Sequence, residues 1–246
     1  MFLAPLDASY TVGKELIYSD CIEYTDGIPL TFKWTVTGRE SVTFAELGFE
    51  FLSDNPAEAE IIIDRISLGG TTDLKYEPLI PLKDRYNIPG WISSLDRIGI
   101  QFSTDKEPIT HIGSNGERKF LVTGNRFWGD ITVKCRFRIH AADEAGIVFR
   151  YQGAERYYSA YFTKNTLRIA KQYYSETILA EIPYTLEENI IVPVEIDVKG
   201  NSIFITVDGK RLLTAKDDTL KDGGAGFFAD TGLLGFRDLS IKAVVK

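Results

Sequence analysis

Arginine and tyrosine side chains recur in the middle of the sequence, on segments whose apolar alternation predicts neighbouring strands. Aromatic rings stacked on the apolar faces of sugars, with arginine donors reaching the hydroxyl groups, are the usual chemistry of glycan recognition. The candidate ligand-binding residues are Arg136, Arg138, Arg150, Tyr157, Tyr161 and Tyr173. The alternative is an ordinary exposed sheet surface that the stems of these side chains cover.

Carboxylates with catalytic spacing are scarce by comparison. Glycoside hydrolysis needs two carboxylates that flank the scissile bond, and Glu195 and Asp197 lie two residues apart on one predicted strand face. Neighbouring lysines indicate that this face is exposed rather than catalytic. His140, close to Asp143 and Glu144, has the chemistry of a general base, but the sequence brings no serine or cysteine nucleophile to it. We therefore assign no catalytic residue.

The elements that must position the candidate residues are strands with a period of two. Apolar residues alternate with polar ones between Ile131 and Ile139, which places Arg136 and Arg138 on one face of a strand. With the apolar positions in the core, we expect both arginines on the same outer side as Tyr157 and Tyr161. Further strands are predicted over 147–151, 157–163, 167–170, 177–182 and 192–198.

The clearest local signal is a hairpin near the C-terminus. Asp208 and Gly209 separate two apolar alternations, and a type I′ turn requires positive φ at both of its central residues. Glycines then precede Phe227 and Phe228, and a last strand follows over 236–241. Because no amphipathic helix interrupts these strands and turns, the sequence predicts an all-β fold, an antiparallel β-sandwich.

The first third of the chain reads as a separate group of short strands. These are predicted over 30–36, 47–51 and 60–68. Pro78, Pro81 and Pro89 follow without a sustained period, and proline removes donors from a strand ladder. We therefore predict a short β-sandwich module over 1–80, a linker over 81–90 and a larger sandwich over 91–246.

Several short phrases occur in the second domain in the order that one fold family uses. They are Trp128-Gly129-Asp130, Ala145–Arg150, Tyr157-Tyr158, Pro193–Ile196, Val207–Gly209 and Gly224–Phe227. The domain thereby resembles the concanavalin A-like lectin/glucanase superfamily, above all the laminin-G-like jelly rolls and the bacterial 3-keto-disaccharide hydrolase domains. The resemblance implies a jelly roll, which hosts lectins, hydrolases and structural modules alike. The Glu-x-Asp-x-x-Glu strand of the glucanase members is absent.

The first domain shows a shorter resemblance. The apolar segment 60–68, with Asp64 inside it, resembles the closing strand of a carbohydrate-binding-module jelly roll. In several such families this aspartate helps to hold a structural calcium, so the resemblance implies calcium at Asp64. The alternative is a solvent-facing or turn-capping aspartate. The whole arrangement is also similar to the β-sandwich tail of bacterial ADP-ribosylglycohydrolase-like proteins, whose helical catalytic domain has no counterpart here.

The amino-acid composition and charge indicate which kinds of partner the protein does not bind. A net charge of −7 and a pI near 5.0 argue against nucleic-acid binding, which normally requires a basic face. No apolar run is long enough to span a membrane, and the N-terminal residues do not read as a signal peptide, so we expect a cytoplasmic location. Cys21 and Cys135 do not form a disulfide framework.

These observations predict a non-catalytic carbohydrate-binding or interaction module with a sugar-containing ligand. The resemblances imply an accessory part of a larger bacterial glycan- or ADP-ribose-processing enzyme, with the catalytic domain of the parent protein as a partner. We expect that the protein requires no cofactor, apart from the structural calcium that the resemblance implies at Asp64. Two alternatives stay open: a hydrolase of the 3-keto-disaccharide type and a structural module for docking or dimerisation.

Overall fold

The computed structural model of the chain is built from antiparallel β-strands. It describes residues 1–5, 12–13, 15–23, 25, 27–36, 44–52, 60–67, 69–76, 88, 90–102 and 107–245, with the side chain of Phe102 left aside. These residues form no helix, and so none that could cross a membrane. They form two compact units, over 1–68 and 69–246.

The first unit contains one small antiparallel sheet in its described part. Its strands are β1 (Phe2–Pro5), β2 (Ile17–Tyr18) and β3 (Phe44–Gly48), in the order β2-β1-β3. The strand predicted over 30–36 is wrong, and so is the strand predicted over 60–68 in its described part, 60–67, because these residues do not pair with a strand. In the second segment the consecutive Ile61, Ile62 and Ile63 are all exposed. An alternating pattern becomes a strand only where a neighbour bonds its backbone and one face is buried.

The second unit contains two larger sheets. Its strands are β4 (Gly70–Tyr76), β5 (Trp91–Ser93), β6 (Arg97–Phe102), β7 (Pro108–Ser114), β8 (Lys119–Thr123), β9 (Trp128–His140), β10 (Glu144–Gly153), β11 (Arg156–Phe162), β12 (Thr166–Tyr173), β13 (Glu176–Pro183), β14 (Val192–Lys199), β15 (Ser202–Val207), β16 (Lys210–Lys216), β17 (Gly224–Asp230) and β18 (Gly232–Val245). The seven-stranded sheet has the order β13-β12-β11-β10-β17-β8-β5. The eight-stranded sheet has the order β16-β15-β14-β9-β18-β7-β6, and β4 pairs with β18.

The division between the units differs in position from the predicted one. β4 lies within the predicted first module, yet it pairs along β18 from Leu239↔Tyr76 to Val245↔Gly70 and so belongs to the second unit. The predicted linker over 81–90 lies outside the described residues, except for Ile88 and Gly90.

The alternating side chains of the two sheets build one core between them. Val133, Cys135 and Phe137 of β9 pack in the same buried cluster as Ile147 and Phe149 of β10. The chain passes from the eight-stranded to the seven-stranded sheet between β9 and β10, through residues 141–143. The predicted antiparallel sandwich is confirmed.

The predicted C-terminal hairpin is also confirmed. β15 and β16 pair antiparallel on either side of Asp208 and Gly209, whose φ angles are 49° and 72°. Both central residues are therefore in the left-handed region that a type I′ turn requires.

Candidate functional site

The six residues predicted to bind a ligand lie in four separate places. Arg136 and Arg138 are in β9 of the eight-stranded sheet, whereas Tyr157 and Tyr161 are in β11 of the seven-stranded sheet. Outward-facing side chains of the two sheets point away from each other, so the predicted common face is wrong. The reason is the crossing at residues 141–143, which puts consecutive strands on opposite layers. Arg136 contacts Asp238 at 3.4 Å, and Arg138 Nη2 donates to His111 Nε2 at 2.6 Å.

Arg150 is buried at one end of the sandwich, with 1% of its surface exposed. Its φ of 47° falls where the register between β10 and its neighbours shifts, and such a bulge re-aims a side chain. The guanidinium donates to the carbonyl oxygens of Gly129 (3.3 Å), Leu220 (3.0 Å) and Gly200 (2.6 Å). Arg150 therefore joins the start of β9 to the segments at Gly200 and Leu220 and does not face a groove.

Tyr157 and Tyr161 lie on the outer face of the seven-stranded sheet but are buried there. They belong to a second apolar cluster that we call the outer cluster: Phe120, Val122, Val148, Tyr157, Tyr161, Ala170 and Phe228. The ring centres of Phe120 and Tyr157 are 5.3 Å apart, and those of Tyr161 and Phe228 are 5.7 Å apart. Tyr157 has only 2% of its surface exposed. Neither tyrosine offers a free ring face to a ligand in this structure.

Arg118 holds the outer cluster in place, and sequence reasoning did not identify it. Its guanidinium carbon lies 4.6 Å from the ring centre of Phe228 and 5.4 Å from that of Tyr161. Nη1 donates to the Tyr157 hydroxyl (3.1 Å) and to Glu176 (2.9 Å), and Nη2 contacts Glu144. The only signal in the sequence is a basic residue between a turn and a short strand.

Electrostatics around Arg118 follow from this burial. Burial alone would lower the pKa of the Arg118 guanidinium, but Tyr157 and Glu176 outweigh it and raise that pKa. Burial raises the pKa of Tyr161 to about 12. The cation and the neutral phenols are therefore the stable forms at neutral pH, as a structural cluster requires.

Tyr173 and the adjacent Tyr174 are exposed at one end of the same sheet. The turn between β10 and β11 lies beside the turn between β12 and β13, since Arg156 pairs with Tyr173. The Tyr174 amide donates to the Glu155 carbonyl at 2.9 Å and joins the two turns. Tyr173 has 41% and Tyr174 has 68% of its surface exposed. We call Glu155, Arg156, Gln172, Tyr173 and Tyr174 the tyrosine platform.

The tyrosine platform combines aromatic faces with polar groups. The two rings meet edge to face, with centres 5.2 Å apart and planes at 76°, and the Arg156 guanidinium lies 5.3 Å from the Tyr173 ring centre. Gln172 Nε2 donates to Glu155 at 3.1 Å. Arg156 Nε is buried without a hydrogen-bond partner in the part of the chain that the structure describes. This arrangement has stacking surfaces, donors and an acceptor within reach of one small ligand.

The two carboxylates with possible catalytic spacing, Glu195 and Asp197, both form contacts with neighbouring side chains. Glu195 pairs with Lys134 at 3.0 Å, and Asp197 accepts from Thr132 at 2.8 Å and pairs with Lys199 at 2.9 Å. His140 Nδ1 contacts the Asn189 side-chain oxygen. These contacts bring no nucleophile to His140 and leave neither carboxylate unpaired.

Asp64 is exposed within the segment 60–67. Calcium takes about six to eight oxygen ligands, but no group of three or more His, Cys, Asp or Glu residues that could hold a metal ion occurs among the described residues. The described surroundings of Asp64 thus do not assemble a calcium site, and calcium at Asp64 stays a prediction.

Comparisons with known proteins show the fold. No protein-family model and no curated protein sequence matches this chain. Among solved structures, the carbohydrate-binding module CBM66 from Bacillus subtilis is 16% identical with a TM-score of 0.53, and the match covers 63% of this chain and 97% of that module. A protein of unknown function with a galectin-like fold, also from Bacillus subtilis, is 14% identical with a TM-score of 0.51, over 70% of this chain and 100% of that chain.

A third similar structure is the cellulose-induced protein Cip1. It is 14% identical with a TM-score of 0.50, and the match covers 66% of this chain and 95% of that chain. At these identities the likeness shows the fold alone, a β-sandwich of the galectin-like, jelly-roll kind.

Proposed function

We propose that this protein is a non-catalytic carbohydrate-binding module whose ligand stacks on the tyrosine platform. The observation that carries the proposal is the exposed pair of Tyr173 and Tyr174, with the Arg156 guanidinium against the Tyr173 ring. Large exposed aromatics are costly to hydrate, and two of them side by side on adjacent turns suit an apolar sugar face.

The fold supports this proposal without deciding it. Two of the similar structures are named for carbohydrate-related roles, as a carbohydrate-binding module and as a cellulose-induced protein. Their names concern those proteins, and the fold also hosts unrelated functions. The proposal for this chain rests on the tyrosine platform, because Tyr157 and Tyr161 are packed inside the outer cluster and their rings are not accessible to a ligand.

A glycan array followed by affinity measurements on the best polysaccharide tests the proposal. We expect Tyr173→Ala and Tyr174→Ala each to weaken binding about tenfold, which corresponds to about 1.4 kcal/mol. Phe127→Ala is the matched control, since Phe127 is an exposed aromatic with the Arg126 guanidinium 5.1 Å from its ring centre. Unchanged binding in a variant with both tyrosines replaced, or no binding to any glycan, would contradict the proposal.

The proposal extends to the setting of the protein, as an accessory part of a larger bacterial glycan- or ADP-ribose-processing enzyme. Its support is the sequence resemblance. The first unit also exposes apolar side chains over 60–67, including Ile62 and Ile66. Docking through this segment is the competing role for the first unit. Replacing Ile62 and Ile66 by serine leaves glycan binding intact if the tyrosine platform acts by itself.

The hydrolase alternative has weaker support. Glu195 and Asp197 are each held in an ion pair with a lysine, Lys134 and Lys199. Release of reducing sugar from the polysaccharide that binds best, if abolished in Glu195→Gln, would favour the hydrolase over the binding module.

A further inference from the structure

A cleft on the outer face of the eight-stranded sheet carries nitrogen-bearing side chains that the tyrosine platform does not use. Its volume is about 310 Å³, at the lower end of the roughly 300–1,000 Å³ of small-molecule sites. Residues from β6, β7, β9 and β18 line it: Arg97, Gly99, Gln101, His111, His140 and Leu233. The size suits a ligand of one sugar ring.

Gly99 keeps part of the cleft open. Gly99 pairs with His111, and Gly235 pairs with both His111 and Arg138. Directly opposed residues in antiparallel strands share a face, so these four form one row across β6, β7, β18 and β9. A Cβ added at Gly99 would have no heavy atom within 4 Å. The missing side chain at Gly99 thus leaves open space that the protein does not fill.

The row positions a neutral histidine between cationic groups. Arg138 Nη2 donates to His111 Nε2 at 2.6 Å, so the neutral ring carries its proton on Nδ1. Burial, and then the charges of Arg138, His140 and Arg97, lower the pKa of His111 to about 4. His111 therefore acts as a neutral hydrogen-bonding group, and the positive charge among the described lining residues comes from Arg97.

Charge balance in the cleft favours an anionic ligand. Arg97 makes no ion pair with another described residue, and the lining residues that the structure describes include no carboxylate. This is unusual in a chain with a net charge of −7. The planar guanidinium matches the two oxygens of a carboxylate, and Leu233 adds an apolar wall that a sugar ring would cover and an inorganic ion would not.

We propose that this cleft binds a carboxylate-bearing ligand of monosaccharide size, a uronic acid. Arg97 pairs with the carboxylate, His140 and Gln101 reach the hydroxyl groups, and Leu233 packs against the ring. The cleft lies on the opposite sheet from the tyrosine platform, so this second site stands or falls independently of it.

Both histidines of the chain line this cleft, which gives a direct measurement. The imidazole signals of His111 and His140 are followed by NMR during titration of the whole chain with glucuronate, glucose or inorganic phosphate. We expect glucuronate to shift both sets of signals and glucose to leave them unchanged. No shift with glucuronate, or tighter binding of phosphate than of glucuronate, would overturn the proposal.

Two variants at exposed or open positions sharpen the titration. Arg97→Gln removes the pairing charge and should weaken glucuronate binding about tenfold or more, the usual effect of losing a charged hydrogen bond. Gly99→Leu places a side chain in the cleft and should abolish binding while leaving the fold intact. Arg126→Gln, at an exposed arginine in the loop before β9, is the matched control. Wild-type affinity in both Arg97→Gln and Gly99→Leu would refute the assignment.

Discussion

The two outer faces of the sandwich differ in what lies on them. On the seven-stranded sheet, aromatic rings and Arg118 cover small neighbours such as Val148 and Ala170 and close the face with a second apolar cluster. On the eight-stranded sheet, Gly99 and Gly235 flank His111, and the open space above Gly99 forms part of a cleft. The volume of the side chains therefore decides which face is open. The face of the seven-stranded sheet is closed even though it carries tyrosine and arginine, the residue types that suggest ligand binding.

Within the seven-stranded sheet, some aromatic side chains are packed in the structure and others are accessible to solvent. Tyr157 and Tyr173 belong to adjacent strands of one sheet, yet only Tyr173, at the turn, keeps an exposed ring. In the middle of the face each ring has neighbours to pack against, whereas at a turn the sheet ends and one side of the ring meets solvent.

The largest expected effect tests whether the outer cluster is a true core. Phe228→Ala removes a fully buried ring, so we expect the free energy of unfolding to fall by about 3–5 kcal/mol. Ile92→Ala is the matched control on an edge strand of the same sheet, because Ile92 is 75% exposed, and should change that free energy by less than about 0.5 kcal/mol. Chemical denaturation measures both. Similar losses in the two variants would mean that the face is not a packed core.

A smaller effect tests the polar clamp over this cluster. Arg118→Gln leaves Glu144 and Glu176 without their cation and should lower the free energy of unfolding by about 1–3 kcal/mol. Arg168→Gln breaks a more exposed ion pair with Glu181 in the same sheet and should cost at most about 1 kcal/mol. The Arg168 effect should shrink further at high salt, since exposed pairs are screened. Equal losses would contradict the assigned role of Arg118.

The smallest effect is a pH dependence on the opposite face. Because the pKa of His111 falls from its usual 6.5 to about 4 in the folded protein, the unfolded chain binds the proton more readily. The contribution of His111 is therefore fully present above about pH 6.5 and is lost as the pH falls towards about 4. His111→Gln should flatten this part of the stability profile, whereas His140→Gln should retain it. An unchanged slope in His111→Gln would disprove a neutral His111.

Part of this architecture follows from local sequence patterns. The alternation between Ile131 and Ile139 predicts β9 and its buried side, and Asp208-Gly209 predicts the hairpin of β15 and β16. Both signals depend only on neighbours in the chain, namely the period of the pleat and the φ preferences of the turn. Similar apolar patterns at 30–36 and 60–67 do not produce strands, because no partner strand pairs with the backbone there.

The candidate site was predicted less completely, for reasons visible in single residues. The sequence pattern predicts Tyr173 as a ligand-binding residue but ends the predicted strand at 170, and its neighbour Tyr174 and the adjacent turn with Arg156 become relevant only through strand pairing. The alternation places Arg150 on an open face, but a bulge in β10 directs its side chain towards the buried end of the sandwich. Arg118 gives no periodic signal, since its partners Glu144 and Glu176 lie 26 and 58 residues away.

The sequence by itself determined that this protein is a β-sandwich and, outside bulges such as the one at Arg150, which side chains of a regular strand share a face, because a pleated strand alternates its side chains whatever it packs against. Only the tertiary structure decided which of those faces meet. Arg138 and Tyr157 are separated because three residues carry the chain from one sheet to the other. Whether a face is open or closed then depends on the summed volume of side chains from distant strands, and no local pattern encodes that sum.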